Sequence, residues 1–329
     1  MSAMKAPEVL LQIRDLQVEY RVRTGTIGGV DHVDLDVYKG ETLGLVGESA
    51  CGKSTMGRAI LRLVSEPGEI VGGEIWFNGQ DLMTKSEIEM AHIRGKEISM
   101  IFQDPMTSLN PLHRIDQHFV ETLRTHVRGL SQTRALLRAS EMFDNLGIQR
   151  ERLFDYPHQL SGGMRQRVMI GLALILNSQL VIADEPTTSL DVIVEAQILD
   201  LLKELKKHYG MTMVLISHNL GIVAELADRV AVMYAGKLVE VSPSLALFDQ
   251  PLHPYTQGLL ASLPNIRVES EELHIMFGAP PDLIHPPTGC RFHPRCPQAL
   301  PRCAQEEPPY RQVEDGRWAA CWLYQRGDR

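Results

Sequence analysis

The feature that most constrains this chain is an eight-residue run, Gly47-Glu48-Ser49-Ala50-Cys51-Gly52-Lys53-Ser54, which follows an apolar segment at 42–46 and opens into a helical pattern. Glycines in such a run let backbone N–H groups turn toward one centre, and the helix behind adds its positive end, so the run is suited to cradling phosphate oxygens. Lys53 brings a cation to the terminal phosphates, the Ser54 hydroxyl suits Mg2+, and Thr55 follows in the same turn. A strand, a glycine loop and a helix in that order already demand an α/β fold.

The rest of the chain fits that demand. Strands are predicted at 42–46, 180–183, 213–217 and 230–234, and a helix with Ile198, Leu201, Leu202 and Leu205 on one face lies between the second and third. Across about 87–177 the strand signals thin out, and Leu136, Ala139, Phe143 and Leu146 repeat at helical spacing until Gly147 ends the pattern. The expected organisation is therefore an α/β domain over 8–250 with an inserted helical subdomain at about 87–177. Beyond it, 251–329 forms a separate C-terminal region that holds twelve of the nineteen prolines and needs something other than a large core to hold it.

Charge and hydropathy narrow the function. A formal net charge of -8 gives none of the basic surface that binding to nucleic-acid phosphates requires. The longest apolar run, 168–176, is well short of the roughly 20 residues of a membrane-spanning helix. Residues 1–12 lack the charged start and apolar block of a secretory signal, so cytoplasmic residence is expected.

Further motifs specify the ATPase. Leu180-Val181-Ile182-Ala183-Asp184-Glu185 is an apolar strand ending in two acids, which suits Asp184 as a Mg2+ ligand and Glu185 as the carboxylate facing the attacking water. Leu160-Ser161-Gly162-Gly163-Met164 reads as an N-cap opening a helix whose N–H groups and dipole attract an anion. Together with Gln103 in Ile101-Phe102-Gln103-Asp104-Pro105, with Ser189-Leu190-Asp191 and with His218, these motifs resemble the ABC ATPases in order and position.

The resemblance extends over essentially the whole chain and narrows to the dipeptide/oligopeptide importer subfamily. Its marks are the segment from Phe102 to Pro111, the segment from Tyr156 to Met164, and His253-Pro254-Tyr255-Thr256-Gln257. The departures are mild: Met164 stands for the commonest glutamine, Asn219 follows His218 where aspartate is usual, and Ala50-Cys51 replaces Gly-Ser.

The resemblance implies a P-loop ABC ATPase domain with a helical insert and a small Cys-rich, Pro-rich C-terminal region. It further implies ATP and Mg2+ as ligands, the metal being held through Ser54, Gln103 and Asp184. Glu185, His218 and Gln103 become catalytic residues, and Ser161, Gly162 and Gly163 hold the nucleotide of an opposite subunit. The Ser189–Asp191 stretch, Leu190 included, forms the dimer-interface loop. Tyr20 sits where the family stacks an aromatic on adenine, although a tyrosine on the sheet surface accounts for it nearly as well.

The implied partners are two transmembrane permease subunits, a second ABC ATPase subunit that the subfamily makes a different chain, and an extracytoplasmic solute-binding protein reached through the complex. The implied place is peripheral, on the cytoplasmic face of the cell membrane. The cargo stays open among dipeptides, longer peptides, glutathione and other small solutes. A soluble ABC ATPase acting on DNA or ribosomes is the rival reading; it is disfavoured by a single ATPase copy and no sustained heptads.

Cys290, Cys296, Cys303 and Cys321 are separated by five, six and seventeen residues. Four thiolates suit tetrahedral zinc or an iron-sulfur cluster, and the spacing lacks the paired Cys-x-x-Cys knuckles of common zinc sites. Similar tails in peptide-importer ATPases imply a 4Fe-4S cluster, with zinc and unliganded thiols as the alternatives. Cys51, at a helix N-terminus, is either a thiol of lowered pKa open to modification or a small neutral filler.

Overall fold

The computed structural model describes residues 8–104, 108–188, 190–262 and 278–324. The chain divides into two compact units, one made of residues up to 37, 42–83 and 216 onward, the other of 38–41 and 84–215.

In the first unit, β1 (Val9–Val22) pairs antiparallel with β4 (Gly68–Phe77) in the register Leu11↔Phe77 to Tyr20↔Gly68, in a four-stranded sheet ordered β2-β1-β4-β5, with β2 at Gly25–Tyr38 and β5 at Gln80–Asp81. The core strand β3 (Thr42–Val46) is buried at every residue, as suits a largely apolar strand. It lies parallel to β9 (Arg229–Tyr234), with Leu43 opposite Arg229 and Val46 opposite Val232. A two-residue turn at Ala235 and Gly236, both with positive φ, returns the chain as β10 (Lys237–Pro243).

The C-terminal region is less loop-like than its prolines predict. Strand β12 (Arg317–Ala319) adds to β10, and β11 (Arg311–Glu314) adds to β12. The helix at Pro254–Ala261 is capped by His253, whose ring nitrogen accepts the Tyr255 N–H at 3.0 Å. The fully buried Glu240 carboxylate accepts the N–H groups of Leu252 and His253 at 3.0 and 2.8 Å and so fixes where that helix begins. Tyr234, Tyr255 and Phe292, each at most 2% exposed, pack with ring centroids 4.6 to 5.4 Å apart. Contacts of this kind, each worth about 1 kcal/mol beyond area burial, serve where a large core is lacking.

In the second unit, β6 (Ile98–Ile101) runs parallel to β7 (Leu180–Asp184), with β8 (Thr212–Ile216) beyond it. The helices Ile115–His126 and Gln132–Asn145 meet through Phe119 and Phe143, edge to face at 5.7 Å. The helix Gly162–Leu174 is buried at Val168, Met169, Ile170, Gly171, Ala173 and Leu174, so its long apolar run serves packing. The helix Val192–Tyr209 buries Ile198, Leu201, Leu202 and Leu205 as predicted and ends at Gly210 in the left-handed region. Among the described residues no helix is long and apolar enough to cross a membrane.

Candidate functional site: a phosphate loop and an acidic strand end

In the first unit the glycine run links β3 to a helix that begins at Lys53. Gly47 has φ +151, and a Cβ there would lie 2.2 Å from the Met233 carbonyl oxygen. Gly52 has φ +107, and a Cβ there would lie 2.2 Å from the carbonyl oxygen of Gly29. Both obstacles are backbone atoms that cannot swing aside, so only glycine fits either position.

Lys53 is 6% exposed and its ammonium donates to the carbonyls of Gly47 and Glu48, each at 2.9 Å. Ser49 and Ala50 are exposed at the crest of the loop, while Gly52, Ser54 and Thr55 are half-buried. Tyr20 is half-buried, its hydroxyl 3.0 Å from the Thr55 hydroxyl, and its ring rests on the bare backbones of Gly29 and Gly68. His218 is exposed just after β8, followed by Asn219, whose side chain accepts the Gly221 N–H at 3.0 Å.

Cys51 corrects one reading. It is 4% exposed, and burial pushes its thiol up despite Lys53 beside it. Loss of hydration outweighs the helix end and the cation, so Cys51 is the neutral filler and not an activated thiol.

In the second unit β7 delivers Asp184, 1% exposed, and then Glu185 with φ 49. Such a backbone costs a non-glycine residue roughly 1–2 kcal/mol, and strain of this kind collects at functional sites. The Glu185 carboxylate is held by the Gln103 amide and the Thr188 hydroxyl, both donating to Oε2 at 2.9 Å. The structure thus joins two residues singled out from sequence and adds a third, Thr188, that sequence reasoning missed.

Ser161 caps the helix Gly162–Leu174 by accepting the Met164 N–H at 3.3 Å. A Cβ on Gly163 would come within 2.6 Å of Val194 Cγ1, and one on Gly162 within 3.8 Å of Leu190 Cδ2. The helix start therefore lies against the start of Val192–Tyr209, which Asp191 caps by accepting the Val194 N–H at 2.9 Å. Ser189 lies outside the described residues, as do Pro105, Met106 and Thr107 of the Gln103 segment.

Cys290, Cys296, Cys303 and Cys321 form no disulfide with one another, and Cys303 is buried. The Cys290 N–H donates to the Cys303 carbonyl at 2.8 Å. Burial first, then the other cysteines' charge, pushes Cys290 up to about 11 and Cys321 up to about 12. Among the described residues, however, no three His, Cys, Asp or Glu side chains stand together as one metal ion would require.

Two further residues escaped the sequence reading. The Tyr255 hydroxyl accepts the Glu48 N–H at 2.8 Å, and Arg295 grips the Glu48 carboxylate with two nitrogens at 2.8 and 2.9 Å. Tyr255 lies inside a motif already noted; Arg295 carries no local signal.

Comparison with known proteins agrees with this geometry. The family profile described as "ABC transporter" matches residues 30–188, and that described as "Oligopeptide/dipeptide transporter, C-terminal region" matches 239–303. The oligopeptide transport ATP-binding protein OppD of Bacillus subtilis is 46% identical, covering 95% of this chain and 88% of that protein. The dipeptide transport ATP-binding protein DppD of Escherichia coli is 44% identical, covering 95% and 96%. Among solved structures, the dimeric post-hydrolysis state of the ATP-binding cassette MJ0796 bound to ADP and Pi aligns with a TM-score of 0.65 at 27% identity, covering 71% of this chain and 99% of that one. Identity of this order along nearly the full length, with both profiles matched, places the chain in the ABC transporter ATPase family, among members that carry the oligopeptide/dipeptide-type C-terminal region.

Proposed function

We propose that this chain is the ATP-hydrolysing subunit that energises import of di- or oligopeptides, working on the cytoplasmic face of the membrane with two permease subunits, a second ATPase subunit and an external solute-binding protein. The observation that carries this reading is that relatives named as oligopeptide and dipeptide transport ATP-binding proteins match along 95% of the chain, C-terminal region included. In this reading 8–250 is the ATPase domain, about 87–177 its helical subdomain and 251–329 the importer-type tail.

The loop from Gly47 to Thr55 holds the phosphates, and its glycine-only positions support that role. Ser54, Gln103 and Asp184 would hold Mg2+; all three offer the hard oxygen donors it prefers. When bound, the ion spreads the charge that develops on the transferring phosphate. Glu185 accepts a proton from the attacking water, and the Gln103 and Thr188 hydrogen bonds fix its orientation, while His218 stands at the terminal phosphate.

Ser161, Gly162 and Gly163 bind the nucleotide of the second ATPase subunit, and Ser189, Leu190 and Asp191 line the contact with it. Val192 and Ile193, 82% and 74% exposed directly after Asp191, support an interface there. Hydrolysis removes the phosphate contacts that join the subunits, and the reopening biases the permease between two states.

The four cysteines carry a 4Fe-4S cluster in this reading rather than zinc. A single zinc gathers its sulfurs at about 2.3 Å from one point. Soft thiolate sulfurs suit either metal group, and the cluster is proposed on the four-cysteine tail that this chain shares in kind with peptide-importer ATPases. Iron content of anaerobically purified chain tests this part, zinc in place of iron being the contrary result.

The whole reading is tested by uptake of a labelled tripeptide into cells carrying the chain or its Lys53→Ala form. Uptake should need intact Lys53. Equal uptake by both would exclude the chain as the energy source.

A further inference from the structure

The phosphate loop carries a carboxylate of its own, and that charge sits badly with a triphosphate. Glu48 follows Gly47 directly, and an acid there repels the ligand unless something cancels it. The C-terminal region supplies the cancelling charge. Arg295, its side chain only 6% exposed, forms a bidentate pair with Glu48 at 2.8 and 2.9 Å, lies over the Tyr234 ring at 5.7 Å and donates to the Tyr234 hydroxyl at 3.3 Å. The aromatic floor of Tyr234, Tyr255 and Phe292 fixes where the guanidinium can go.

The same region holds the loop backbone. The peptide between Gly47 and Glu48 is gripped at both ends, its carbonyl by the Lys53 ammonium at 2.9 Å and its N–H by the Tyr255 hydroxyl at 2.8 Å. On the far side of the loop the Cys51 carbonyl accepts the Gly236 N–H at 2.9 Å, and Arg291 braces that turn by donating to the Ala235 carbonyl while pairing with Asp31. Arg291, Phe292 and Arg295 all belong to the short segment between Cys290 and Cys296.

We infer that Arg295, with Tyr255, is a positioning residue of the nucleotide site: it neutralises Glu48 and keeps the Gly47–Glu48 peptide in place, so that the segment between Cys290 and Cys296 sets the ATP affinity of a loop some 240 residues earlier in the chain. The inference rests on the reading of Gly47 to Ser54 as the nucleotide loop.

The test is titration of the purified full chain with a fluorescent ATP analogue, with thermal melts run alongside. Arg295→Ala should weaken binding about tenfold and Tyr255→Phe about threefold, each change keeping a cooperative melt. Arg295→Lys, which keeps the charge and loses the bidentate grip, should fall between Arg295→Ala and the unaltered chain. The decisive variant is Glu48→Gln combined with Arg295→Ala, which should return to within about threefold of the unaltered chain, because the charge that Arg295 cancels is gone.

A binding loss in Arg295→Ala that Glu48→Gln does not repair would mean a purely structural role and would overturn the inference, as would unchanged binding in Arg295→Ala. Should Arg295→Ala not fold, Tyr255→Phe and Arg295→Lys carry the same test, unchanged affinity in both being the contrary result. Absence of ATP binding by the unaltered chain would overturn the nucleotide reading itself, a result distinct from both.

Discussion

Gly163→Ala offers a sharp test of how the segment after Ser161 is held. The added methyl would sit 2.6 Å from Val194 Cγ1, about 1 Å closer than the 3.5–4.0 Å of an ordinary carbon contact. Val194 is β-branched and helical, so its χ1 has essentially one state and the side chain cannot turn away. Relief must come from sliding one helix start against the other, and overpacking of that kind costs about 1–3 kcal/mol. The gain in helix propensity offsets less than about 1 kcal/mol of this. Gly163→Ala should therefore destabilise the chain by about 1–2 kcal/mol, and in a Val194→Ala background the same change should cost nothing.

Urea unfolding followed by far-ultraviolet circular dichroism reads the effect. Coupling of at least about 1 kcal/mol between the two sites is expected, and additivity within about 0.5 kcal/mol would refute the steric argument.

Three other outcomes are expected. Glu185→Gln keeps the shape of the acid but not its basicity, so hydrolysis should fall about 10²- to 10⁴-fold with ATP binding retained; near-normal phosphate release would remove Glu185 as the base. Cys51, buried and with its thiol pushed up, should resist iodoacetamide in the folded chain at neutral pH, and rapid labelling located by peptide mass would contradict the burial. His253 is buried and its pKa is lowered from 6.5 to about 3, so the unfolded chain binds a proton there that the folded chain refuses. Its contribution to stability is complete above about pH 6.5 and is lost as pH falls toward about 3. His253→Asn should flatten that acid limb, and an unchanged pH profile would argue against a neutral His253.

Much of this molecule was legible in its sequence because it follows from short-range chemistry. Strands at 42–46 and 180–183 announce themselves as largely apolar runs followed by a glycine or an acid, and Ile198, Leu201, Leu202 and Leu205 declare one helix face. The strand Ile98–Ile101 went unseen inside a segment read as helical, since four residues are too few to display a period. The strands Arg311–Glu314 and Arg317–Ala319 were hidden for another reason: they are strands because β10 offers an edge, which no pattern of their own reveals.

Cys51 was ambiguous because its surroundings in sequence, a lysine and a helix start, point one way and its burial the other. Least legible was the grip on Glu48. Tyr255 and Arg295 stand 207 and 247 residues away from it, and a pairing at that range leaves no mark in local spacing or composition.

The most direct measurement is affinity purification of a tagged Glu185→Gln chain from gently solubilised membranes in the presence of ATP, with mass spectrometry of whatever accompanies it. Two multispanning proteins and a second ATPase subunit should be recovered. Recovery of ribosomal or DNA-repair components without any membrane protein would contradict the importer account, while leaving the ATPase chemistry in place.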